Sequence, residues 1–292
     1  MKTPLIISAV QQACNKSRQE NLQLSIDYIQ SAANNKADLV VLPELHLDPY
    51  FCQEENVSNF TLAETIPGPH SEKLSQLAKA LNIVIVTTLF EKRAPGIYHN
   101  SAVVFDKDGS YAGQYRKMHI PDDPGFYEKF YFTPGDLGFT PINTSIGRLG
   151  ILICWDQWFP EAARLMTLAG AEILIYPTAI GWDPNDTPAE QERQRDAWLT
   201  IQRSHAVANG LPVISCNRIG FEACNDSGIM FWGNSFIAGP QGEILSHANE
   251  KEEKLVITEI DLIQTEKTRQ IWPFLRDRRI DDYQNITKRF ID

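Results

Sequence analysis

Three side chains of this 292-residue chain have the reactivity needed to break an amide-type bond. Glu44 and Cys154 each close a short apolar run, and Lys117 lies next to a turn. A cysteine can attack a carbonyl carbon, a carboxylate can carry the proton, and an ammonium can stabilise the oxyanion. Because open α/β sheets bind ligands at the ends of strands, we expect the three side chains to meet there. The set predicts hydrolysis through a covalent acyl-enzyme.

Cys154 has the surroundings expected of a nucleophile. It ends a predicted strand over 149–154 and precedes a predicted helix over 160–169. The N-terminus of a helix stabilises a thiolate, so this position would activate the sulfur. The backbone N–H of Trp155 is expected to join Lys117 in binding the oxyanion. A buried cysteine by itself is more often structural than catalytic, so the prediction depends on the three reactive side chains together.

The bulk composition is that of an ordinary globular protein, with 43% hydrophobic and 22% charged residues. A net charge of −10 argues against nucleic acid as a partner, because nucleic-acid binders usually carry a basic face. No apolar run reaches the roughly 20 residues that span a bilayer, so we expect no membrane partner, and no signal peptide is visible. The five cysteines form no CxxC pair, and the six histidines show no metal-ligand spacing. We therefore expect a cytoplasmic protein without a metal or another cofactor.

Short apolar strands alternate with amphipathic helices, which predicts one α/β domain over residues 1–292. Ser17 and Glu20 form a capping-box pattern before the first helix, and Thr187 and Glu190 repeat it before a long helix. The strands are numerous for one doubly wound sheet and are accommodated better by two packed sheets with helices outside. They are predicted over residues 5–11, 38–42, 83–90, 102–105, 111–115, 149–154, 172–176, 213–216, 235–238 and 254–260.

Three short motifs follow one another along the chain: Leu42-Pro-Glu44, Arg116-Lys-Met-His119 and Cys154-Trp-Asp156. In this order they resemble the catalytic motifs of the nitrilase (carbon–nitrogen hydrolase) superfamily, and the resemblance extends over about 5–272. It implies a four-layer αββα sandwich of the nitrilase type, a thiol amidohydrolase without a metal, and a homo-oligomer. The tail from about Ile271 is polar and aromatic. Tails of this type dock on a partner subunit or on their own surface, and we expect this one at a subunit interface.

A fourth site residue follows from the same resemblance. The segment Tyr127–Asp136 is similar to the segment in which the superfamily places a second glutamate, and Glu128 is the matching position. A carboxylate beside Lys117 would keep the lysine charged and orient it. The alternative is an exposed ion pair between Glu128 and Lys129.

Four further segments narrow the expected substrate. They are similar to the branch of the superfamily that hydrolyses the ureido group of a carbamoylated diamine, giving the diamine, ammonia and carbon dioxide. The segments are Cys154–Glu161, Pro177–Gly181, Asn217–Gly220 and Ser235–Pro240. The segment His46–Tyr50 departs from some members of that branch.

A carbamoylated diamine carries an ammonium about four methylenes from its ureido head, and an unpaired buried ammonium is costly. Its pocket therefore needs a carboxylate at the far end and apolar or aromatic walls. We expect Asp183 to hold the ammonium, with Trp155, Trp158 and Trp182 as walls. Asp183 is equally well suited to be a turn residue before Pro184.

Two alternatives remain open at this point. A substrate that ends in a carboxylate, such as N-carbamoyl-β-alanine or an N-carbamoyl amino acid, would need an arginine in the pocket, and Arg218 and Arg164 are candidates. The other alternative is a non-catalytic assembly subunit on the same fold. A scaffold has no need of Glu44, Lys117 and Cys154 together, which favours the enzyme.

Overall fold

Strands and helices alternate through the computed structural model, which describes residues 4–291. The strands are β1 (Leu5–Gln11), β2 (Leu39–Val41), β3 (Val84–Ala94), β4 (Ile97–Phe105), β5 (Tyr111–Arg116), β6 (Ile142–Thr144), β7 (Gly147–Ile151), β8 (Ile173–Thr178), β9 (Gly181–Trp182), β10 (Val213–Asn217), β11 (Ile219–Cys224), β12 (Ser227–Trp232), β13 (Phe236–Ala238), β14 (Ile244–His247) and β15 (Lys254–Ile260). The α-helices are α1 (Arg18–Asn34), α2 (Pro69–Leu81), α3 (Pro160–Leu168), α4 (Pro188–Asn209) and α5 (Leu262–Ile271). Short 3-10 helices cover Phe51–Gln53, Val57–Leu62, Glu128–Phe130, Cys154–Trp158, Ile280–Asp282 and Gln284–Thr287.

The strands form two six-stranded sheets and a small three-stranded one. The first sheet has the order β15-β1-β2-β3-β4-β5, the second β14-β13-β10-β8-β7-β6, and the third β11-β12-β9. Strands β1, β2 and β3 run parallel, as do β7, β8 and β10, and the flanking strands pair antiparallel. Because parallel neighbours end at the same edge of a sheet, the residues that follow β7 and β8 come together in space.

Strand β1 shows how the layers arise. Leu5, Ile7 and Ala9 lie in the core between the two large sheets, whereas Val10 packs on the opposite face with Ile26 of helix α1. Successive side chains of a strand point to opposite faces, so one apolar strand contributes to two layers of core. Helices α1 and α2 cover the outer face of the first sheet, and α3 and α4 cover that of the second. The predicted four-layer αββα sandwich is confirmed.

The two predicted capping boxes have different outcomes. At α1 both halves are present, because the Ser17 hydroxyl accepts from the backbone N of Glu20 and the Glu20 carboxylate accepts from the backbone N of Ser17. At α4 the hydroxyl of Thr187 accepts from the backbone N of Glu190 at 3.3 Å, which is the first half only. The carboxylate of Glu190 instead pairs with Arg193 one turn further along the helix. The second half of the predicted box is therefore wrong.

The strand predicted over 149–154 is too long. Strand β7 ends at Ile151, and Cys154 begins a 3-10 helix. Predictions also missed elements outside the main sheets, including the β11–β12 hairpin and helix α5. The hairpin matters for function because its turn lines the cavity described below.

The C-terminal tail leaves large apolar side chains at the surface. After α5 the chain forms two short 3-10 helices, and Ile271, Trp272, Ile286 and Phe290 are each more than half exposed. Across residues 4–291, none of the helices combines the length and the apolar character that a bilayer crossing requires.

Candidate active site

Glu44, Lys117 and Glu128 form a buried ion cluster at the ends of strands in the first sheet. Glu44 follows β2, Lys117 follows β5, and Glu128 opens a 3-10 helix in the next connection. The Lys117 ammonium Nζ lies 2.7 Å from Oε1 of Glu44, and 2.9 Å and 2.7 Å from the two oxygens of Glu128. All three side chains are fully buried. Charges so far from water must be paired, so each member of the cluster depends on the others.

Two neutral side chains complete the cluster. Asn100 Nδ2 donates to Oε1 of Glu44 at 2.7 Å, and the Tyr50 hydroxyl donates to Oε1 of Glu128 at 2.6 Å. The second oxygen of Glu44, Oε2, is buried and has no hydrogen-bond partner among the described residues. A buried carboxylate oxygen without a donor is available to receive a proton from a reacting group.

The electrostatics of the cluster keep the lysine charged. Burial opposes the charge on Lys117, but the carboxylates of Glu128 and Glu44 outweigh it and raise the pKa of Lys117 well above its usual range. Burial raises the pKa of Glu128 to about 7; the Lys117 charge works against this rise and the Glu44 charge adds to it. The predicted alternative, an exposed pair between Glu128 and Lys129, is wrong because Glu128 is buried and bound to Lys117.

Cys154 lies next to this cluster, in the 3-10 helix that follows β7 of the second sheet. Its Sγ–H donates to the carbonyl oxygen of Ala179 at 3.7 Å, and its sulfur interacts electrostatically with Glu44, Lys117 and Glu128. Its φ is +43°, a left-handed conformation that non-glycine residues rarely adopt and that often occurs at functional sites.

The expected activation of Cys154 by a helix N-terminus is wrong. Helix α3 begins at Pro160 as predicted, but a 3-10 helix that was not predicted, Cys154–Trp158, lies between Cys154 and α3. Burial raises the pKa of Cys154 well above its usual range; the Glu44 charge adds to this effect and the Lys117 charge opposes it. This shift favours the neutral thiol over the thiolate.

The turn at Cys154 also leaves a backbone donor without a partner inside its helix. The first hydrogen bond of this 3-10 helix runs from Asp156 N to Ile153 O at 3.0 Å. The N–H of Trp155 precedes it and is one of the orphan donors that every helix start leaves. It directly follows Cys154 in the chain.

Asp156 fixes this turn in place. Its Oδ2 accepts from the backbone N of Ile153 at 2.9 Å and from the Tyr115 hydroxyl at 2.8 Å. Its Oδ1 accepts from the backbone N of His119 at 3.0 Å and from the His119 ring Nδ1 at 2.7 Å. The backbone oxygen of Asp156 also accepts from the backbone N of Phe159 at 3.2 Å.

A cavity of about 830 Å³ opens above Cys154. Its walls include aromatic side chains from several loops, namely Phe126, Tyr127, Trp155, Trp158 and Trp232. Four aspartates also line it: Asp123, Asp183, Asp186 and Asp226. Among the described residues that line the cavity, none is a lysine, an arginine or a histidine. Such a cavity attracts a cation and repels a carboxylate.

The predicted substrate-binding residues divide into two groups. Asp183, Trp155 and Trp158 line the cavity, whereas Trp182 does not. The expectation that Trp182 forms a wall is wrong because its indole N–H donates to the carbonyl oxygen of Gln191 at 2.9 Å and its ring packs against Trp232.

Trp232 lines the cavity and was missed, because the β11–β12 hairpin was not predicted. The run Asn225-Asp-Ser-Gly228 between two strand-like stretches was the available turn signal.

Asp183 is a turn residue and also lines the cavity. Its Oδ1 accepts from the backbone N of Asn185 at 2.8 Å and from Nδ2 of Asn185 at 2.9 Å, which makes it a turn residue. It is also exposed at the cavity, and no partner of its other oxygen, Oδ2, is seen among the described residues. One oxygen can therefore serve the turn while the other faces a ligand.

Neither arginine that the alternative reading required lies in the cavity lining. Arg218 Nη1 forms an ion pair with Glu222 at 2.8 Å, and Arg164 Nη2 donates to the carbonyl oxygen of Ala208 at 2.9 Å. A substrate carboxylate in the cavity would find neither of them.

Comparison with known proteins defines the class. The model of the carbon–nitrogen hydrolase family matches residues 6–270. The chain belongs to this family, and the resemblance to the nitrilase superfamily is confirmed. It is a hydrolase that acts on carbon–nitrogen bonds other than peptide bonds.

Similar proteins cover almost the full chain. N-carbamoylputrescine amidase of Oryza sativa subsp. japonica is 44% identical over 283 residues, which cover 95% of this chain and 93% of that protein. Citrullinase of Francisella tularensis is 40% identical over 285 residues, which cover 97% and 98%. Among solved structures, a carbon–nitrogen hydrolase from Helicobacter pylori G27 is 53% identical, with a TM-score of 0.96 and coverage of 99% of this chain and 100% of that one.

Proposed function

We propose that this chain hydrolyses N-carbamoylputrescine to putrescine, ammonia and carbon dioxide through a covalent intermediate on Cys154. The observation that carries the proposal is the cavity, whose lining includes Cys154 and four aspartates and, among the described residues, no basic side chain. The N-carbamoylputrescine amidase of rice, which this chain matches over most of its length, supports the same substrate.

In the first half of the reaction, Glu44 takes the proton from the thiol of Cys154 and the sulfur attacks the ureido carbon. The free Oε2 of Glu44 supports this role. The tetrahedral oxyanion is stabilised by the ammonium of Lys117 and by the backbone N–H of Trp155. Glu44 then returns the proton to the departing nitrogen, and the carbon–nitrogen bond breaks to leave a thiocarbamate on the sulfur.

In the second half, Glu44 takes a proton from water and the resulting hydroxide attacks the thiocarbamate carbon. Lys117 and the Trp155 N–H stabilise the second oxyanion as they did the first. The bond to sulfur breaks, the thiol of Cys154 recovers its proton, and the released carbamate decomposes to carbon dioxide and the remaining amine. Glu128 keeps Lys117 charged and in place during both halves.

The ammonium at the far end of the substrate is held at the acidic wall, which is the part of the cavity lined by Asp123, Asp183, Asp186 and Asp226. Asp183 is the anchor, because it lies in the cavity lining and only its Oδ1 is engaged by the turn. Trp155 and Trp158 flank the methylene chain, and their ring faces attract the cationic end.

Citrulline is the second candidate, because the chain is also similar to a citrullinase. The ureido head and the α-ammonium of citrulline suit the cavity as well as the ureido head and the ammonium of N-carbamoylputrescine do. Its carboxylate does not, since no arginine, lysine or histidine is among the described lining residues. The same argument applies to N-carbamoyl-β-alanine.

One assay separates these candidates. Ammonia release is measured with the purified enzyme on N-carbamoylputrescine, citrulline, N-carbamoyl-β-alanine and a short neutral ureide. We expect the highest kcat/KM for N-carbamoylputrescine, by at least about tenfold, because the acidic wall binds its ammonium and repels a carboxylate. If citrulline or N-carbamoyl-β-alanine is hydrolysed faster, that compound replaces N-carbamoylputrescine as the proposed substrate. If no compound releases ammonia, the result favours an assembly subunit.

We also propose a homo-oligomer with the tail from about Ile271 at the interface, supported by the exposed apolar side chains of that tail. A single domain over 1–292 is part of the proposal, although residues 1–3 and 292 lie outside the described part of the chain. All five cysteines are free, which supports a cytoplasmic location.

A further inference from the structure

Arg218 is a buried cation that the chemistry proposed above does not use. It lies between strands β10 and β11, and its side chain has no exposed surface. Its Nη2 donates to the backbone carbonyl oxygens of Glu44 at 2.7 Å and Leu45 at 2.8 Å. Its Nη1 donates to Oε1 of Glu222 at 2.8 Å and to the carbonyl oxygen of Asp48 at 3.3 Å. The planar guanidinium is thereby held in one orientation.

The first pair of contacts supports the turn that carries Glu44. The two carbonyl groups belong to the peptides on either side of Leu45, whose φ of +48° is a left-handed conformation that L-residues rarely adopt. The N–H of Leu45 is also fixed, since it donates to Oγ1 of Thr88 at 2.6 Å. Arg218 therefore stabilises strained backbone next to the residue proposed as the base.

The second pair of contacts leads to Glu128. The other oxygen of Glu222, Oε2, accepts from the backbone N of Tyr50 at 2.6 Å. The ring of Tyr50 lies against the guanidinium, with the Arg218 Cζ atom 5.6 Å from the ring centroid. The hydroxyl at the far end of the same ring donates to Glu128. One residue thus supports Tyr50 from two directions, and Tyr50 supports Glu128.

We infer that Arg218, together with Glu222, is a positioning residue that holds Glu44 and Glu128 on the two sides of Lys117. The inference rests on the proposed function, because it explains how the proposed base and its neighbour are oriented. A buried ion pair is weak as a source of stability but strongly directional, which suits a positioning role. Arg218 does not line the cavity, so its loss disturbs the chemical step and leaves substrate binding intact.

The test compares Arg218→Met and Arg218→Lys with the wild type. We expect Arg218→Met to lower kcat at least about 100-fold, with KM within about threefold, because small misplacements of reacting groups are costly. Arg218→Lys recovers part of the loss, because an ammonium can reach the two carbonyl groups but cannot also bind Glu222 in the same plane. The matched control is Ile29→Ala, in fully buried core of α1, which lowers the melting temperature and leaves kcat unchanged within about threefold.

Crystal structures of the wild type and Arg218→Met keep this inference separate from the proposed function. A shift of about 1 Å in the carboxylate of Glu44 or Glu128 supports the inference even if the wild type hydrolyses none of the four compounds, in which case only the proposed function fails. If Arg218→Met does not fold, Tyr50→Phe takes its place and is expected to lower kcat about tenfold while lowering the melting temperature no more than Ile29→Ala does. A variant with wild-type kcat, or with both carboxylates in their original positions, overturns the inference.

Discussion

Asp156 and His119 are joined by two hydrogen bonds to one carboxylate oxygen, from the backbone N at 3.0 Å and from ring Nδ1 at 2.7 Å. The other oxygen of Asp156 binds the Tyr115 hydroxyl and the backbone N of Ile153. Tyr115 and His119 flank Lys117 in the chain, and Ile153 precedes Cys154. One buried carboxylate therefore sets the distance between the proposed nucleophile and the proposed oxyanion binder.

We expect Asp156→Asn to impair both stability and turnover. The amide group would place its NH₂ against donors that now meet a carboxylate, leaving buried groups unsatisfied at a cost of about 1–3 kcal/mol. The resulting shift of the Cys154 turn lowers kcat by about 10- to 100-fold. Urea unfolding and steady-state kinetics measure the two effects. Tyr115→Phe, which removes one of the four bonds, is the milder control, and wild-type kinetics in Asp156→Asn would contradict the role.

Replacing the proposed nucleophile provides the most direct test of covalent catalysis. Cys154→Ala should lower turnover by more than about 10⁴-fold while the protein stays folded. Cys216→Ala is the matched control, because Cys216 is also a fully buried thiol but donates to the carbonyl oxygens of Val10 and Val41 in the core. Retention of more than a few per cent of wild-type turnover in Cys154→Ala would rule out attack by this sulfur.

Charge at the cavity wall is tested with a charged and a neutral substrate. Asp183→Asn can keep the turn to Asn185, so its effect reports on the lost charge. We expect KM for N-carbamoylputrescine to rise about two- to fivefold, the range for an exposed ion pair, and KM for a short neutral ureide to stay unchanged.

Asp226→Asn changes a second aspartate of the cavity lining, at the turn of the β11–β12 hairpin. It shows whether the change in KM is specific to Asp183 or is shared by the aspartates of the lining. Equal changes in KM for both substrates would mean that Asp183 does not hold the ammonium.

A buried histidine makes the fold sensitive to acid. His46 lies between the hydroxyls of Ser25 and Thr87, each 2.8 Å from a ring nitrogen. Burial, with a smaller effect of the nearby Arg218 charge, lowers the pKa of His46 to about 3. Below about pH 6.5 the unfolded chain binds a proton that the folded chain refuses, so stability is complete above that pH and falls towards pH 3 by about 1.4 kcal/mol per unit.

His46→Gln removes this titration and keeps groups that can bond both hydroxyls. As the pH falls from 7 to 5, the wild type loses stability at His46 and the variant does not. Any advantage in unfolding free energy that the wild type has at pH 7 should therefore shrink or reverse. Urea unfolding at several pH values measures it. A difference that stays constant over this range would show that His46 is not the acid-sensitive group.

The sequence predicted the parts of the site that local patterns mark. Glu44 and Lys117 follow short strands and Cys154 follows a third, and sheet topology then brings strand ends together. Glu128 needed the resemblance, because nothing in its own neighbourhood indicates burial.

What could not be predicted depends on contacts that are distant in the chain or on backbone angles. Trp232 reaches the cavity through a hairpin whose strands are short and only partly apolar. Strand β7 ends at Ile151, although its apolar run continues to Ile153, and Cys154 then adopts a left-handed conformation. The guanidinium of Arg218 binds the carbonyl oxygen of Glu44, 174 residues away in the chain, and no local signal distinguishes it from a pocket residue.

The two large sheets position different members of the proposed catalytic set. Glu44 and Lys117 follow strands of one sheet, and Cys154 follows a strand of the other. During synthesis or refolding, a chain with only one sheet formed has either the thiol or its proposed proton acceptor in position, never the pair. Recovery of catalysis after dilution from denaturant should thus coincide with docking of the sheets, making enzyme assay a probe of that late step.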